Sequence, residues 1–236
     1  YARACDPTMI MTINVIASEQ AAATQETADK VIKLLNYCAT NSDAILRFHA
    51  SDMIMNIHSD ASYLSEKNAK SRAGGFYYMG GTKNGSNNLT NGAIHVISTT
   101  LKHVMSSAAE AEIGAVFINA REGTVLRTTL EELGHPQPET PLQTDNTTAT
   151  GYSNNTIKEK RTKAMDMRFF WIKDRVKQGQ FDVYWGPGYQ NLADYFTKHH
   201  SPAHHKRVSP VYVHAADRLM IRTGIRDSVW RGCVNI

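Results

Sequence analysis

The feature that most limits the fold is a change of hydrophobic period near residue 100. Met53, Met55 and Ile57 alternate with Ile54, Asn56 and His58, the two-residue period of a half-buried strand over 53–60. Two more strands follow over 74–79 and 93–98, separated by a Gly/Asn-rich turn over 80–88. From Ser107 the apolar residues recur at three-to-four spacing instead, through Ile113, Val116, Phe117, Ala120, Leu126, Leu130 and Leu133. Ser107 with Glu110 reads as a capping box, Gly123 as a bend or break, and Gly134 with Pro136 as the stop. A short strand over 141–145 comes next, with a helix start at Asn146. A long helix over 157–177 carries Met165, Phe169, Ile172 and Val176 as its buried stripe. A strand over 181–185, a Gly186-Pro187-Gly188 turn and a short helix over 191–198 complete the pattern.

Upstream, 7–39 reads as helical, with Val31, Leu34, Leu35 and Cys38 on one face. Asn41, Ser42 and Asp43 break it before a short strand through Ile45 and Phe48. A three-strand antiparallel meander followed by two strand–helix units predicts an α/β fold, a mixed five-stranded sheet flanked by helices. Right-handed crossovers place the later parallel strands beside the strand 53–60, so its end and that of 141–145 become neighbours.

Composition sets the outer limits. The 236 residues suffice for one sizeable domain with appendages or for two small ones. With 42% hydrophobic and 20% charged residues, a core is possible and global disorder is not expected. A net charge of +4 permits a polyanionic partner without requiring one. Cys5, Cys38 and Cys233 are far apart and form no CxxC pair, so neither a zinc ribbon nor a disulfide framework is indicated, and a reducing compartment is the simplest fit. No apolar run approaches the ~20 residues of a membrane span, and no signal peptide is visible. The chain opens on Tyr1 rather than Met and reads as cut from something longer.

Four acids occupy four different local settings. Asp60 and Asp145 each end a short apolar run, while Glu112 and Asp194 each lie near a helix start. Carboxylates delivered this way can converge, and carboxylates that converge repel unless divalent cations sit between them; hard oxygen ligands suit Mg²⁺ or Mn²⁺. Each also has a plain structural role open to it. Asp60 can be a turn aspartate, Glu112 a solvent-facing helix residue, Asp145 the cap of the next helix, and Asp194 a first-turn acid after an Asn191 cap. Asp52 rivals Asp60, but the two lie about 26 Å apart on a continuous strand and cannot share a site. Glu110 and Glu112 point in nearly opposite directions on a helix; Glu110 serves the capping box, so Glu112 is the inward candidate.

The helix 157–177 is strongly basic. Lys158, Lys160, Arg161 and Lys163 offer a phosphate-binding face or a merely solvated one. The turn at Lys67, Asn68 and Lys70 is a weaker candidate. Phe169, Phe170 and Trp171 read as core rather than as stacking platforms. His199, His200, His204 and His205 with Lys206 and Arg207 read as a disordered basic tail rather than a metal site.

Four segments in order, SSAAEAEIGA, TDNTTA, KAMDMRFFWIKD and NLADYFTKHH, resemble the ribonuclease H domain of copia-type LTR retrotransposon polyproteins, over about 50–200. Residues 1–50 resemble the stretch joining polymerase to nuclease in such polyproteins, and 201–236 is left as a basic, poorly ordered tail. The resemblance implies a ribonuclease H-like fold and metal-dependent cleavage of the RNA strand of RNA·DNA hybrids during reverse transcription. It implies Asp60, Glu112, Asp145 and Asp194 as catalytic metal ligands for two Mg²⁺ ions, or Mn²⁺. Lys158, Lys160, Arg161, Lys163 and Asn146 become the expected nucleic-acid contacts. The reverse transcriptase part of the same polyprotein is the expected partner, with no membrane involved, a cytoplasmic setting in virus-like particles, and an oligomeric state left open. Pro187 stands where many ribonucleases H carry a His in a GHxG turn. The alternative function is a non-catalytic hybrid-binding or connection module; a DNA-cutting integrase-type relative is a third possibility.

Overall fold

A computed structural model describes residues 1–82, 91–156 and 166–215. Lys158, Lys160, Arg161 and Lys163 lie outside the described residues, so their expected phosphate contacts have no structural counterpart here.

Five strands form one mixed sheet: β2 (Ile54–Glu66), β3 (Lys70–Gly80), β4 (Ala93–Thr100), β5 (Thr140–Thr144) and β6 (Phe181–Trp185). The order β4-β3-β2-β5-β6 is antiparallel through the meander and parallel from β2 to β5 to β6. This is the expected architecture, with the crossovers placing β5 against β2. A separate two-stranded ribbon joins β1 (Ala44–Ile45) to β7 (His214–Ala215); Phe48 lies outside it.

One face of the sheet carries α3 (Ala108–Glu132), α4 (Thr147–Ser153) and α5 (Asp166–Lys177). Met55, Ile57, Tyr77, Val116, Leu142, Ile172, Phe181 and Val183 fill the space between, all at most 2% exposed. Gly123 does not break α3. A Cβ there would stand 2.8 Å from Ile57 Cδ1, so the residue lets the helix lie close on the sheet. Trp171 packs against this core edge-on to Phe117, but Phe170 is exposed rather than core, because it points off the packed side of α5.

The second face is covered too, by α1 (Ile10–Glu19) and by residues 192–212. Met9, Ile10, Phe76, Val96, Phe196 and Tyr212 form that layer. It explains why β2 is buried on both sides over 54–60 instead of alternating. It also shows that the helical N-terminal segment packs on the sheet. That segment breaks at Ala23 before α2 (Gln25–Thr40), which the Thr24 hydroxyl caps.

Three further expectations change. β2 runs on to Glu66 and β3 begins at Lys70, so the turn at Lys67, Asn68 and Lys70 is the tip of a long hairpin, with Lys70 already in β3. At the start of α3, Ser107 accepts from the Glu110 amide at 3.1 Å, but the Glu110 carboxylate reaches back to the Ser106 amide, so the reciprocal half of the box shifts by one residue. Of the tail expected to be disordered, Pro202–Val208 forms α6, which Ser201 caps through the His204 amide at 3.3 Å, while 216–236 lies outside the described residues.

Candidate active site

The parallel register sets the site. Ile57 pairs with Leu142 and His58 with Gln143; carried on, the same register sets Asp60 opposite Asp145. Asp60 sits within β2, since the strand continues beyond the apolar run. Asp145 lies just past β5 and does not cap the next helix; Asn146 does, accepting from the Ala149 amide at 3.0 Å.

Behind these strands a buried polar network fixes α3. The Asn119 amide donates to the Ser59 hydroxyl (2.9 Å) and to the Gly74 carbonyl (2.8 Å), while the Tyr77 hydroxyl donates to Asn119 Oδ1 at 2.8 Å. A Cβ at Gly75 would stand 1.9 Å from Asn119 Oδ1, so only glycine admits this contact. Two turns earlier on the same helix, Glu112 is 7% exposed and points at the strand ends. Its Oε1 accepts from the Ala61 amide at 3.2 Å and its Oε2 from the Thr144 hydroxyl at 3.5 Å.

Carboxylate oxygens of Asp60, Glu112 and Asp145 therefore lie within 4.8 Å of one another, a grouping able to hold a metal ion. Burial is the main force on the first two. It raises the pKa of Asp60 to about 6, opposed by a 2.5 Å hydrogen bond from the Thr197 hydroxyl and aided by the charges of Asp194 and Asp145. It raises Glu112 further, to about 9, with Asp60 and Asp145 adding repulsion. The three convergent carboxylates form an all-oxygen donor set, the kind that fits a hard divalent cation.

Asp194 stands apart from this trio. It lies in the 3-10 helix Leu192–Phe196, with Asn191 capping through the Ala193 amide at 3.1 Å, and its Oδ1 is held by the Lys198 ammonium one turn on. Burial opposes the Lys198 charge, but the bond to Asp194 and the charges of Asp60 and Asp145 outweigh it and raise the pKa. Lys198 and Thr197 were not singled out as site residues; their signal was the spacing D-x-x-T-K, which returns both side chains to the acid's side of a tight helix. Asp52 is exposed ahead of β2 and takes no part, as its distance from Asp60 required.

The chain is 29% identical over 200 residues to the retrovirus-related Pol polyprotein from transposon TNT 1-94 of Nicotiana tabacum, a match over 84% of this chain and 14% of that polyprotein. It thus spans about 14% of its relative's length. No protein-family model matches. Similar solved structures include LC11-RNase H1, isolated from compost by a metagenomic approach, at 15% identity, 61% and 92% coverage and a TM-score of 0.43. The same protein in complex with RNA/DNA hybrid matches at 15%, 59% and 91% coverage, and 0.42. The prototype foamy virus protease-reverse transcriptase matches at 16%, 61% and 20% coverage, and 0.34. The chain is thus similar in sequence to a short part of a retrotransposon Pol polyprotein, and its five strands run in the order β4-β3-β2-β5-β6.

Proposed function

We propose that this domain hydrolyses the RNA strand of RNA·DNA hybrids with the aid of two divalent cations, Mg²⁺ by preference. The observation that carries the proposal is the convergence of Asp60, Glu112 and Asp145 at the ends of adjacent strands. Cations bound there would lower the pKa of an attacking water and neutralise charge on the leaving 3′ oxygen. Asp60 would be the central ligand, since it lies in the grouping with Glu112 and Asp145 and also feels the charge of Asp194. Glu112 is held in place by the Ala61 amide and the Thr144 hydroxyl, so it meets the substrate pre-aligned. Thr197 orients Asp60 through one oxygen and leaves the other free to coordinate. Asp194 would join the set only on leaving Lys198, whose ammonium would then be free to face a phosphate. The bond made joins water oxygen to phosphorus and the bond broken is phosphorus to the 3′ oxygen; the water proton passes to solvent and the 3′ oxygen takes one up.

The discriminating experiment is cleavage of an end-labelled RNA·DNA hybrid beside duplex DNA of the same sequence. The wild type with Mg²⁺ should cut only the RNA strand of the hybrid, and Asp60→Asn should cut nothing. A wild type that binds hybrid without cutting it would leave a binding module instead, and cleavage of duplex DNA would point to an integrase-type activity.

A further inference from the structure

Two large aromatic side chains stand in the open beside the acidic cluster, outside the hydrophobic core. Trp185 ends β6 on the strand face that buries Phe181 and Val183, yet it is 52% exposed; Tyr189 is 87% exposed. Burying such rings would stabilise a fold. Here that stabilisation is largely forgone at two neighbouring positions.

Both rings sit on a fixed mount. The Trp185 indole N–H donates to the main-chain oxygen of Asp145 at 3.0 Å, which ties the ring to a residue of the cluster. The next residue, Gly186, donates its amide to the Thr144 carbonyl at 3.0 Å. Tyr189 lies in the 3-10 turn Gly188–Gln190, closed by the Asn191 amide on the Gly188 carbonyl at 3.0 Å. Gly188 lies so near Asp145 that a Cβ there would stand 2.9 Å from Oδ2. Asn191 anchors the far end by donating its side-chain Nδ2 to the Ser59 carbonyl at 2.8 Å, one residue before Asp60. The turn is thus braced against both acid-bearing strands while its aromatic faces point to solvent.

An exposed ring with a polar tip suits a surface that is half apolar and half wet. The minor groove of an A-like duplex is such a surface: wide, shallow and lined by riboses with their 2′ hydroxyls. Bases of a hybrid are paired with each other, so sugars are what its RNA strand offers a protein from that side. We infer that Trp185 and Tyr189 form a substrate platform that packs against riboses flanking the phosphate presented to Asp60, Glu112 and Asp145. This inference rests on the hybrid-nuclease reading and assigns its strand contacts to the turn that holds Pro187.

The test is fluorescence anisotropy with a short labelled RNA·DNA hybrid and the matching single-stranded RNA, in an Asp60→Asn background that leaves the strand intact. Tyr189→Ala should weaken hybrid binding by about tenfold, a loss of about 1.4 kcal/mol. Tyr189→Phe should restore it, because the ring face rather than the hydroxyl makes the contact. Trp185→Phe keeps the ring without its tie to Asp145 and should fall between Trp185→Ala and the parent. Hybrid affinity unchanged in both alanine variants would overturn the platform alone, given a wild type that cuts hybrid. An equal loss on single-stranded RNA would also overturn it, since that pattern belongs to stacking on unpaired bases. A wild type that neither binds nor cuts hybrid would remove the nuclease reading and the platform together.

Discussion

Glu112 accepts a hydrogen bond from the Ala61 amide at 3.2 Å, one residue beyond Asp60, so a helix side chain is fastened to the strand whose acid it repels. The repulsion is tolerated only because the surrounding fold holds the groups in place. In metal-free protein at neutral pH, Asp60→Asn should therefore raise the melting temperature while abolishing cleavage. Relief of about 1–2 kcal/mol corresponds to a rise of about 2–8 °C for a chain of this size. Differential scanning calorimetry in EDTA measures it, and the gain should vanish when Mg²⁺ is added to the wild type.

His58 gives the fold a sensitivity to acid. Burial lowers its pKa from 6.5 to about 4, and its Nδ1 accepts from the Leu192 amide at 3.1 Å, which requires the neutral ring. The unfolded chain takes up this proton before the folded one does. The stabilisation is therefore fully present above pH 6.5 and is lost as pH falls toward 4. At pH 5 the loss amounts to about 2 kcal/mol. Urea titrations of the wild type and His58→Gln at pH 7 and pH 5 should show that loss as the difference between the two proteins, because the raised pKa values of Asp60 and Glu112 move the stability of both the opposite way.

Asn119 joins α3 to β2 and β3 behind the site, and its removal strands the Gly74 carbonyl and part of the Tyr77 bond in a dry interior. Asn119→Ala should cost about 2–4 kcal/mol by denaturant unfolding, because buried polar groups left unpaired each cost about 1–3 kcal/mol. Gly75→Ala should be as damaging, since its methyl would occupy the place of Asn119 Oδ1.

Asp194 should matter less to cation binding than the trio does. It is held by Lys198 and lies outside the 4.8 Å grouping. Mn²⁺ titration followed by calorimetry should show Asp194→Asn weakening affinity by about threefold to tenfold, equivalent to about 0.7–1.4 kcal/mol.

Much of this was legible in the chain itself, for physical reasons that differ by element. The sheet order followed from the change of period and from crossover handedness, and the inward turn of Glu112 followed from its two-residue offset from Glu110. What escaped was set by distant parts of the chain. β2 looked half-buried because nothing local shows that α1 and residues 192–212 cover its second face. Its extension to Glu66 was hidden because the strand ends in exposed polar residues paired only with β3. Asp194 looked equivalent to the other acids, since sequence spacing says nothing of which carboxylate a lysine one turn away will hold. α6 did carry a local signal, Ser201 before Pro202, a capping residue followed by proline at the first helical position; the surrounding histidines obscured it.

The most direct test of the shared-site account is Mn²⁺ binding to wild type and to Asp60→Asn, Glu112→Gln and Asp145→Asn, measured by isothermal titration calorimetry on folded protein. The account predicts saturable binding by the wild type and a loss of about a hundredfold, or about 2.7 kcal/mol, in each variant. Equal affinity in all four proteins would contradict it.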